Sequence, residues 1–517
     1  MPPPDSVPIL SCADAKTWET GLLKDESAEW AAMKQAGAAI GRAVGEDFRE
    51  IGGLPSSARI LVLAGKGNNG GDALLAAGAL LAGRAEAGVD LLLSYGETAL
   101  RPLAKRSLDT LRQAAGPRLR VVALKQLKAE LAGYDVCLDG VFGFQFHPPL
   151  DEPTAELLAW VNTHPRIRFR AAVDLPSGLG EENAGTVFRA DFTYATGILK
   201  SPVVAAANAP YVGRLRFLDL GFFSDGAPAS DERVLTAALL EPLAALRPSL
   251  SDKRTNGHLF VLGGSLSYPG AVVLAVRAAL RSGVGLVTAF VPESLVSEYA
   301  AQHPEAMWVG CPVNATGGHG SAALPLLRSR LARADAFLIG PGLGADAETL
   351  ALVAQLVAEA AVPLVLDADA LRPEVISAAG VKPFIGTPHA GELQRIAPVL
   401  GGASGAVIVR KGPLTSVVGR ASCPTSAEPV GQEARPTVYY SPFGGPVLAR
   451  GGSGDILAGL TGGLLAQKPD DPLLAACRGV VWHGHAADLL ARTHGQVAVE
   501  TSQLLEQLGP ALTHLHD

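Results

Sequence analysis

The residues best placed to do chemistry form a short run near the C-terminus, Gly451-Gly452-Ser453-Gly454-Asp455, followed by an apolar, helix-like stretch from Ile456. Glycines ahead of a helix let several backbone N–H groups face one anion, and the helix dipole adds to the attraction. An aspartate one residue beyond can take the proton of a hydroxyl as its oxygen attacks a phosphoryl group. A plain Gly-rich turn into a helix explains the glycines equally well. The company the run keeps favours chemistry.

A second run, Gly65-Lys66-Gly67-Asn68-Asn69-Gly70-Gly71-Asp72, follows an apolar stretch, Arg59 to Ala64. It has neither the GxGxxG spacing nor the GK[ST] ending of a Walker loop. Its mixture of amides and side-chain oxygens suits an anion on the backbone and a hard cation on the side chains. Asp139, in Leu138-Asp139-Gly140-Val141-Phe142-Gly143, and Asp174 with Ser177, in Val173-Asp174-Leu175-Pro176-Ser177-Gly178, supply further oxygens at the ends of apolar runs. Any one of these aspartates could simply cap a helix. Together they read as a pocket.

In the C-terminal half the ordered set is Lys253 to His258, Val261 to Ser265, Tyr268 to Ala271, Ile339 to Gly344, Leu366 to Leu371, Thr387 to Glu392 and Val409 to Pro413. Each falls at an expected strand end, where open α/β sheets bind ligands. Trp482-His483-Gly484-His485 invites a metal reading, but residues two apart on a helix point to different faces, so the histidines read as structural.

The elements that must position these groups are short apolar strands alternating with helical patterns, which predicts parallel sheets covered by helices. Strands are expected at Arg59 to Ala64, Asp90 to Leu93, Val136 to Leu138 and Ala171 to Val173, with a helix beginning near Asp72. A second series starts at Gly257, with strands at Ala336 to Ile339, Leu364 to Leu366 and Val407 to Val409. The apolar segment Ala271 to Val291 carries Arg277 and Arg281 and reads as a buried helix running into a strand. The pattern breaks near residue 230, giving domains 1–228 and 229–517; Arg420 to Pro436 reads as a surface hairpin or loop.

Composition sets the bounds. A chain of 517 residues exceeds one ordinary core. A net charge of −7 offers no basic stripe for nucleic acid. No apolar run reaches the roughly 18 residues of a membrane span. Five separated cysteines without CxxC pairs argue against a disulfide framework and a zinc site. The N-terminus lacks a signal-peptide pattern, so the expected location is cytoplasmic.

The N-terminal strings GKGNNGGD, LDGVFGF and VDLPSGL, with Thr193 to Lys200, resemble the epimerase domain of the bifunctional NAD(P)H-hydrate repair enzymes, over roughly residues 10 to 222. The resemblance implies a Rossmann-like fold with potassium on Asn69, Asp139 and Ser177. It implies a hydrate site lined by Asn68, Asn69, Gly70, Gly71 and Asp72 and by Gly143, Phe144, Gln145, Phe146, His147, Pro148 and Pro149. Asp174 would act on the substrate, with Lys200 close by. Two departures stand out: Ala73 replaces the usual glycine, and the Phe144 to Pro149 loop lacks a basic residue. They leave open a noncatalytic, dinucleotide-binding N-terminal half.

The C-terminal set resembles the ADP- or ATP-dependent NAD(P)H-hydrate dehydratases, a ribokinase-like branch, over about residues 240 to 510. The resemblance implies that Lys411, Gly412, Pro413, Leu414 and Thr415, with Gly451, Gly452, Ser453 and Gly454, hold the nucleotide, Mg²⁺ alongside. Ala271, Gly342, His389 and Asp455 would contact the hydrate, and Asp455 would be the base. Glu392, ahead of Asp367, would position metal-bound water. The expected fold class is therefore two three-layer αβα domains, and the expected partners are NADH or NADPH hydrates and ADP or ATP. No nucleic acid or membrane partner is expected, and apolar content together with the habit of relatives points to a homo-oligomer. The alternative is a ribokinase-like kinase of a vitamin precursor.

Overall fold

The computed structural model describes residues 5–129, 132–181, 185–419, 436–513 and 515. It divides into two compact units: Val7–Val234 with Ala491–Gln496, and Met1–Ser6, Leu235–Leu490 and Val497–Asp517. The expected loop at Arg420 to Pro436 lies, but for Pro436, outside the described residues.

In the first unit seven strands form one sheet in the order Leu119–Val121, Gly88–Leu93, Arg59–Ala64, Tyr134–Gly140, Ile167–Val173, Phe192–Thr196, Arg214–Leu218, and every pairing is parallel. A strand buried on both faces reads as a near-continuous apolar run, and Arg59–Ala64 does from Ile60 onward. Ile60, Val62 and Ala64 pack into one core with Ile40, Val44, Leu74, Leu108 and Leu111 from three helices. Leu61 and Leu63 face the opposite core, with Leu157, Leu158 and Val161 of Glu152–Thr163. These are the three layers. The chain crosses from one side of Arg59–Ala64 to the other, which opens a crevice at the carboxyl ends of that strand and Tyr134–Gly140.

The helix after the first strand begins at Asn68, four residues before the position expected from sequence. The paired asparagines therefore stand in its first turn rather than in a loop. Ala73 is fully buried in that helix, and a Cβ on Gly140 would stand 2.5 Å from its methyl. The departure at 73 thus fills a contact that the opposing glycine leaves open.

The second unit runs through parallel strands Met307–Cys311, Leu286–Pro292, His258–Leu262, Ala336–Ile339, Leu364–Leu366, Phe384–Gly386 and Ala406–Arg410. Ser416–Gly419 and Thr437–Tyr440 follow antiparallel. One face packs on Ala347–Glu359, Pro373–Ala379 and Ala390–Leu400. Near the other lies Ser453–Gln467, buried continuously from Ile456 to Ala466. Its small residues explain how closely it sits: a Cβ on Gly459 would stand 2.0 Å from the Ala275 carbonyl oxygen of Pro269–Arg281. Among the described residues no helix is long and apolar enough to cross a membrane, and Cys12, Cys137, Cys311 and Cys477 are free thiols.

Candidate active sites

At the crevice of the first unit, Asp139 ends its strand fully buried. Its carboxylate accepts the Ser177 hydroxyl at 2.6 Å and the Ser177 amide at 2.7 Å. The Ser177 hydroxyl in turn accepts the Phe142 amide at 2.8 Å, and the Asn69 side-chain amide donates to the Phe142 carbonyl at 2.8 Å. Asn69, Asp139 and Ser177 are thus drawn together around one backbone turn. Burial pushes the Asp139 carboxyl up to about 6, with the Ser177 and Val141 hydrogen bonds opposing it. Among the described residues no cationic side chain pairs with it. A buried carboxylate beside carbonyl, amide and hydroxyl oxygens is the donor set of a hard monovalent cation, so these residues fit potassium.

Beside them opens a cavity of about 450 Å³. Asn68, Asn69, Asp72, Gly143 to His147, Pro149 and Asp174 line it; Gly70, Gly71 and Pro148 do not. Gly70 and Gly71 are buried within the helix turn that presents their neighbours. Asp174 sits at φ 65°, a conformation disfavoured for a residue with a side chain. It pairs with Lys200 at 2.7 Å. Burial works against the Lys200 charge, but Asp174 and Glu19 outweigh it and hold the amine above its ordinary value. Asp72 has one carboxylate oxygen buried without a hydrogen-bond partner, and burial, reinforced by Asp174 and Glu19, drives its carboxyl well above the ordinary range. Sequence reasoning missed Glu19, which lines the same cavity from the helix Cys12–Leu22. Its signal was available: Glu19 lies four residues after Ala15, the residue that helix buries.

In the second unit Gly452, left-handed at φ 90°, starts the helix Ser453–Gln467 and puts Asp455 in its first turn. The first-turn amides have no partners within the helix and face outward from its end. The Ser453 hydroxyl donates to the Leu448 carbonyl at 2.7 Å, and Thr501 donates to the Gly451 carbonyl at 2.9 Å, pinning the loop. His483 supports it from below: its Nε2–H donates to the Ser453 carbonyl at 3.0 Å. Burial brings the His483 ring down to about 4, so it is neutral. Among the described residues no group of three or more His, Cys, Asp or Glu could hold a metal ion; the bond that His483 makes is a structural one.

Lys411 directly follows the strand Ala406–Arg410; its amide donates to the Pro388 carbonyl at 3.0 Å. Its ammonium pairs with Asp367 at 3.0 Å and lies beside the Gly454 backbone, 3.2 Å from where a Cβ would be. Asp367 also accepts the Thr387 hydroxyl at 2.6 Å. Burial pushes Asp455 up to about 7; Asp367 adds to this, Lys411 opposes it, and Asp369 and Glu392 add less. A carboxyl held there can gain or lose a proton near neutral pH. Gly342 has φ 65°, and a Cβ there would stand 2.4 Å from the Tyr268 carbonyl oxygen and 3.0 Å from the Ala271 methyl. His389 caps the helix Ala390–Leu400: its Nδ1 accepts the Gly391 and Glu392 amides, and its Nε2 faces Glu392 Oε1 at 3.3 Å. Glu392 is thus engaged with His389, while Asp367 is the stronger electrostatic neighbour of Asp455. Gly412 to Thr415 form the turn into Ser416–Gly419. One or two carboxylates, here Asp367 or Glu392, suffice for Mg²⁺ that keeps most of its waters and shares phosphate oxygens.

An acid–base cavity in one α/β unit and a base behind a ready anion loop in the other define a two-site α/β enzyme. The family model described as NAD(P)H-hydrate dehydratase matches residues 259–510, and that described as YjeF-related protein N-terminus matches residues 30–201. The bifunctional NAD(P)H-hydrate repair enzyme Nnr of Gloeobacter violaceus is 36% identical over 98% of this chain and 97% of its own. That of Moorella thermoacetica is 33% identical over 94% and 92%. The chain belongs to the family of bifunctional NAD(P)H-hydrate repair enzymes, and the expected fold class, a Rossmann-like unit joined to a ribokinase-like one, holds.

Proposed function

We propose that this chain returns NADH or NADPH that has added water at C6 of its dihydropyridine ring to the intact cofactor. Residues 1–228 interconvert the two C6 epimers and residues 229–517 dehydrate one of them with ADP or ATP. Family-model matches on either side of that boundary support the division. The observation that carries the dehydratase reading is Asp455 in the first turn of the anion-loop helix, its carboxyl at about 7.

In this reading Asp455 takes the proton of the C6 hydroxyl while its oxygen attacks the terminal phosphorus, whose bond to the rest of the nucleotide breaks. The amides after Gly452 and the Lys411 ammonium stabilise charge on the transferred group. The N1 lone pair then expels phosphate from C6, and loss of a C5 proton restores the ring. Phosphorylation replaces hydroxide, a poor leaving group, with phosphate. Mg²⁺, positioned through water by Asp367 or Glu392, would neutralise nucleotide charge. Ala271, Gly342 and His389 contact the hydrate, and Gly412 to Thr415 border the nucleotide.

In the first unit Asp174, paired with Lys200, acts on the hydrate within the cavity. Potassium, held by Asn69, Asp139 and Ser177, would supply fixed positive charge near a phosphate or carbonyl. The free thiols suit a reducing, cytoplasmic setting, and a homo-oligomer, to be weighed by light scattering, completes the proposal.

Absorbance at 340 nm after mixing the protein with both hydrate epimers, Mg²⁺ and ADP or ATP tests both halves. Full recovery, abolished by Asp455→Asn, is expected. Recovery of about half, then a slow phase at the uncatalysed exchange rate, would reduce the first unit to a binding module; no recovery would overturn the dehydratase reading.

A further inference from the structure

Inverting C6 of the hydrate requires two proton movements. If the ring opens, a base removes the C6 hydroxyl proton, C6=O forms as the C6–N1 bond breaks, and the electron pair collects on N1, where an acid delivers a proton. Rotation about C5–C6 turns the other face of the aldehyde to N1. Closure reverses each step: N1 attacks C6, its proton returns to the acid, and the new alkoxide recovers a proton from the base. Atoms and charge balance, and both groups finish as they began. Asp174, anchored by Lys200, supplies only one of them.

We infer that Glu19 is the second proton-transfer group of the epimerisation, donating to and recovering from N1 while Asp174 serves the C6 oxygen. This rests on the epimerase reading above. Glu19 lines the same 450 Å³ cavity as Asp174. One Glu19 oxygen stands 3.8 Å from the Lys200 ammonium, which touches Asp174 at 2.7 Å, so both carboxylates face the reaction space around one buried cation. Lys200 is itself fixed, 4.7 Å from the centre of the Phe144 ring. The pairing divides the labour. Asp174 holds the close contact to the ammonium, while Glu19 keeps only the long one and a side chain 23% exposed, open enough to meet substrate.

The surroundings agree with that division. Burial, together with Asp174, pushes Glu19 up to about 7 against the pull of Lys200, so near neutral pH a large share of it carries the proton an acid must give. Two carboxyl groups in one cavity, one bound closely to a buried cation and the other only at long range, suit the split between a base and an acid. Asp72 is the rival donor. Its unpartnered oxygen is buried, and it belongs to the helix turn that holds Asn69.

The test uses the full chain with nucleotide omitted, so that only epimer exchange runs, followed by chromatographic separation of the two hydrate epimers. Glu19→Gln should lower kcat for exchange by between about a hundredfold and ten-thousandfold, the usual contribution of one acid–base group, with KM within threefold. Glu19→Asp should recover part of the loss. Nucleotide-dependent recovery at 340 nm of the dehydratable epimer, in the same preparations, should be unchanged and reports a folded second unit, while an unchanged thermal midpoint reports a folded first unit. An exchange rate for Glu19→Gln within threefold of the unsubstituted protein, or a change in KM alone, overturns the assignment. If Asp72→Asn instead shows the loss in kcat, the donor is Asp72. Failure of the unsubstituted chain to exchange epimers removes the epimerase reading itself, an outcome told apart because it needs no substitution.

Discussion

Asp455 is held at about 7 by burial and, next in size, by the Asp367 carboxylate, so replacing that neighbour should move the pH profile of dehydration in a definite direction. Asp455 must be ionised to accept the hydroxyl proton, so kcat/KM should fall as pH drops through about 7, tenfold per unit below it. Asp367→Asn removes a like charge and frees Lys411 from its 3.0 Å partner. Both changes favour the ionised form, so the midpoint should move down, by roughly one unit for a neighbouring charge of this kind. At pH 6 roughly a tenth of Asp455 is ionised before the change and about half after it, a gain near fivefold relative to each protein's own plateau. The plateau itself should fall, because Asp367 also accepts Thr387 and orients Lys411. The assay is the initial rate at 340 nm from pH 5.5 to 8.5 with one nucleotide throughout, so that phosphate ionisation cancels between proteins. Because kcat/KM for the nucleotide reports enzyme that has not yet bound it, bound nucleotide does not enter the midpoint when the nucleotide is the varied substrate. An unmoved midpoint, or one displaced upward, would show that the limb does not belong to Asp455 and that its raised carboxyl is not the base.

Three further outcomes are expected. Replacing potassium with tetramethylammonium should lower the thermal midpoint of the first unit, the ion contributing about 2.7 kcal/mol at a hundred times its Kd; Asp139→Asn should erase the difference in a scanning calorimeter. Ala73→Gly should leave epimer exchange within twofold and destabilise the chain by about 1 kcal/mol in urea titration, since it removes a buried methyl and places glycine inside a helix. A gain in activity would mean that Ala73 limits the site. His483→Phe should cost about 1–3 kcal/mol by leaving the Ser453 carbonyl unpaired and raise KM for the nucleotide, while a zinc-selective chelator, with Mg²⁺ kept in excess, leaves the unsubstituted rate unchanged; zinc-dependent activity would overturn the structural role of that histidine.

How much could be read from the sequence depends on whether a feature is written in neighbouring residues. Arg59–Ala64, Ala336–Ile339 and Leu364–Leu366 were legible to the residue, because a parallel strand buried on both faces is a near-continuous apolar run, here broken only by Arg59 at the first position. The loops Gly65–Asp72 and Gly451–Asp455 were legible because their composition has few uses. Their boundaries were not: Asn68 and Asn69 read as loop, yet they form the first helical turn, since a polar residue facing a cleft breaks no packing there. Charge environments were hidden altogether. Lys411 and Asp367 are 44 positions apart and make one ion pair, and the pressure they put on Asp455 exists only after the sheet brings three strand ends and a helix start together. Glu19 is the same case on a single turn. Its spacing from Ala15 says that it faces inward, but a glutamate on a buried face acquires meaning only when Lys200, 181 positions later, arrives beside it. The sequence-specific motifs therefore mark where ligands can rest, and the groups that set proton affinities there belong to the fold.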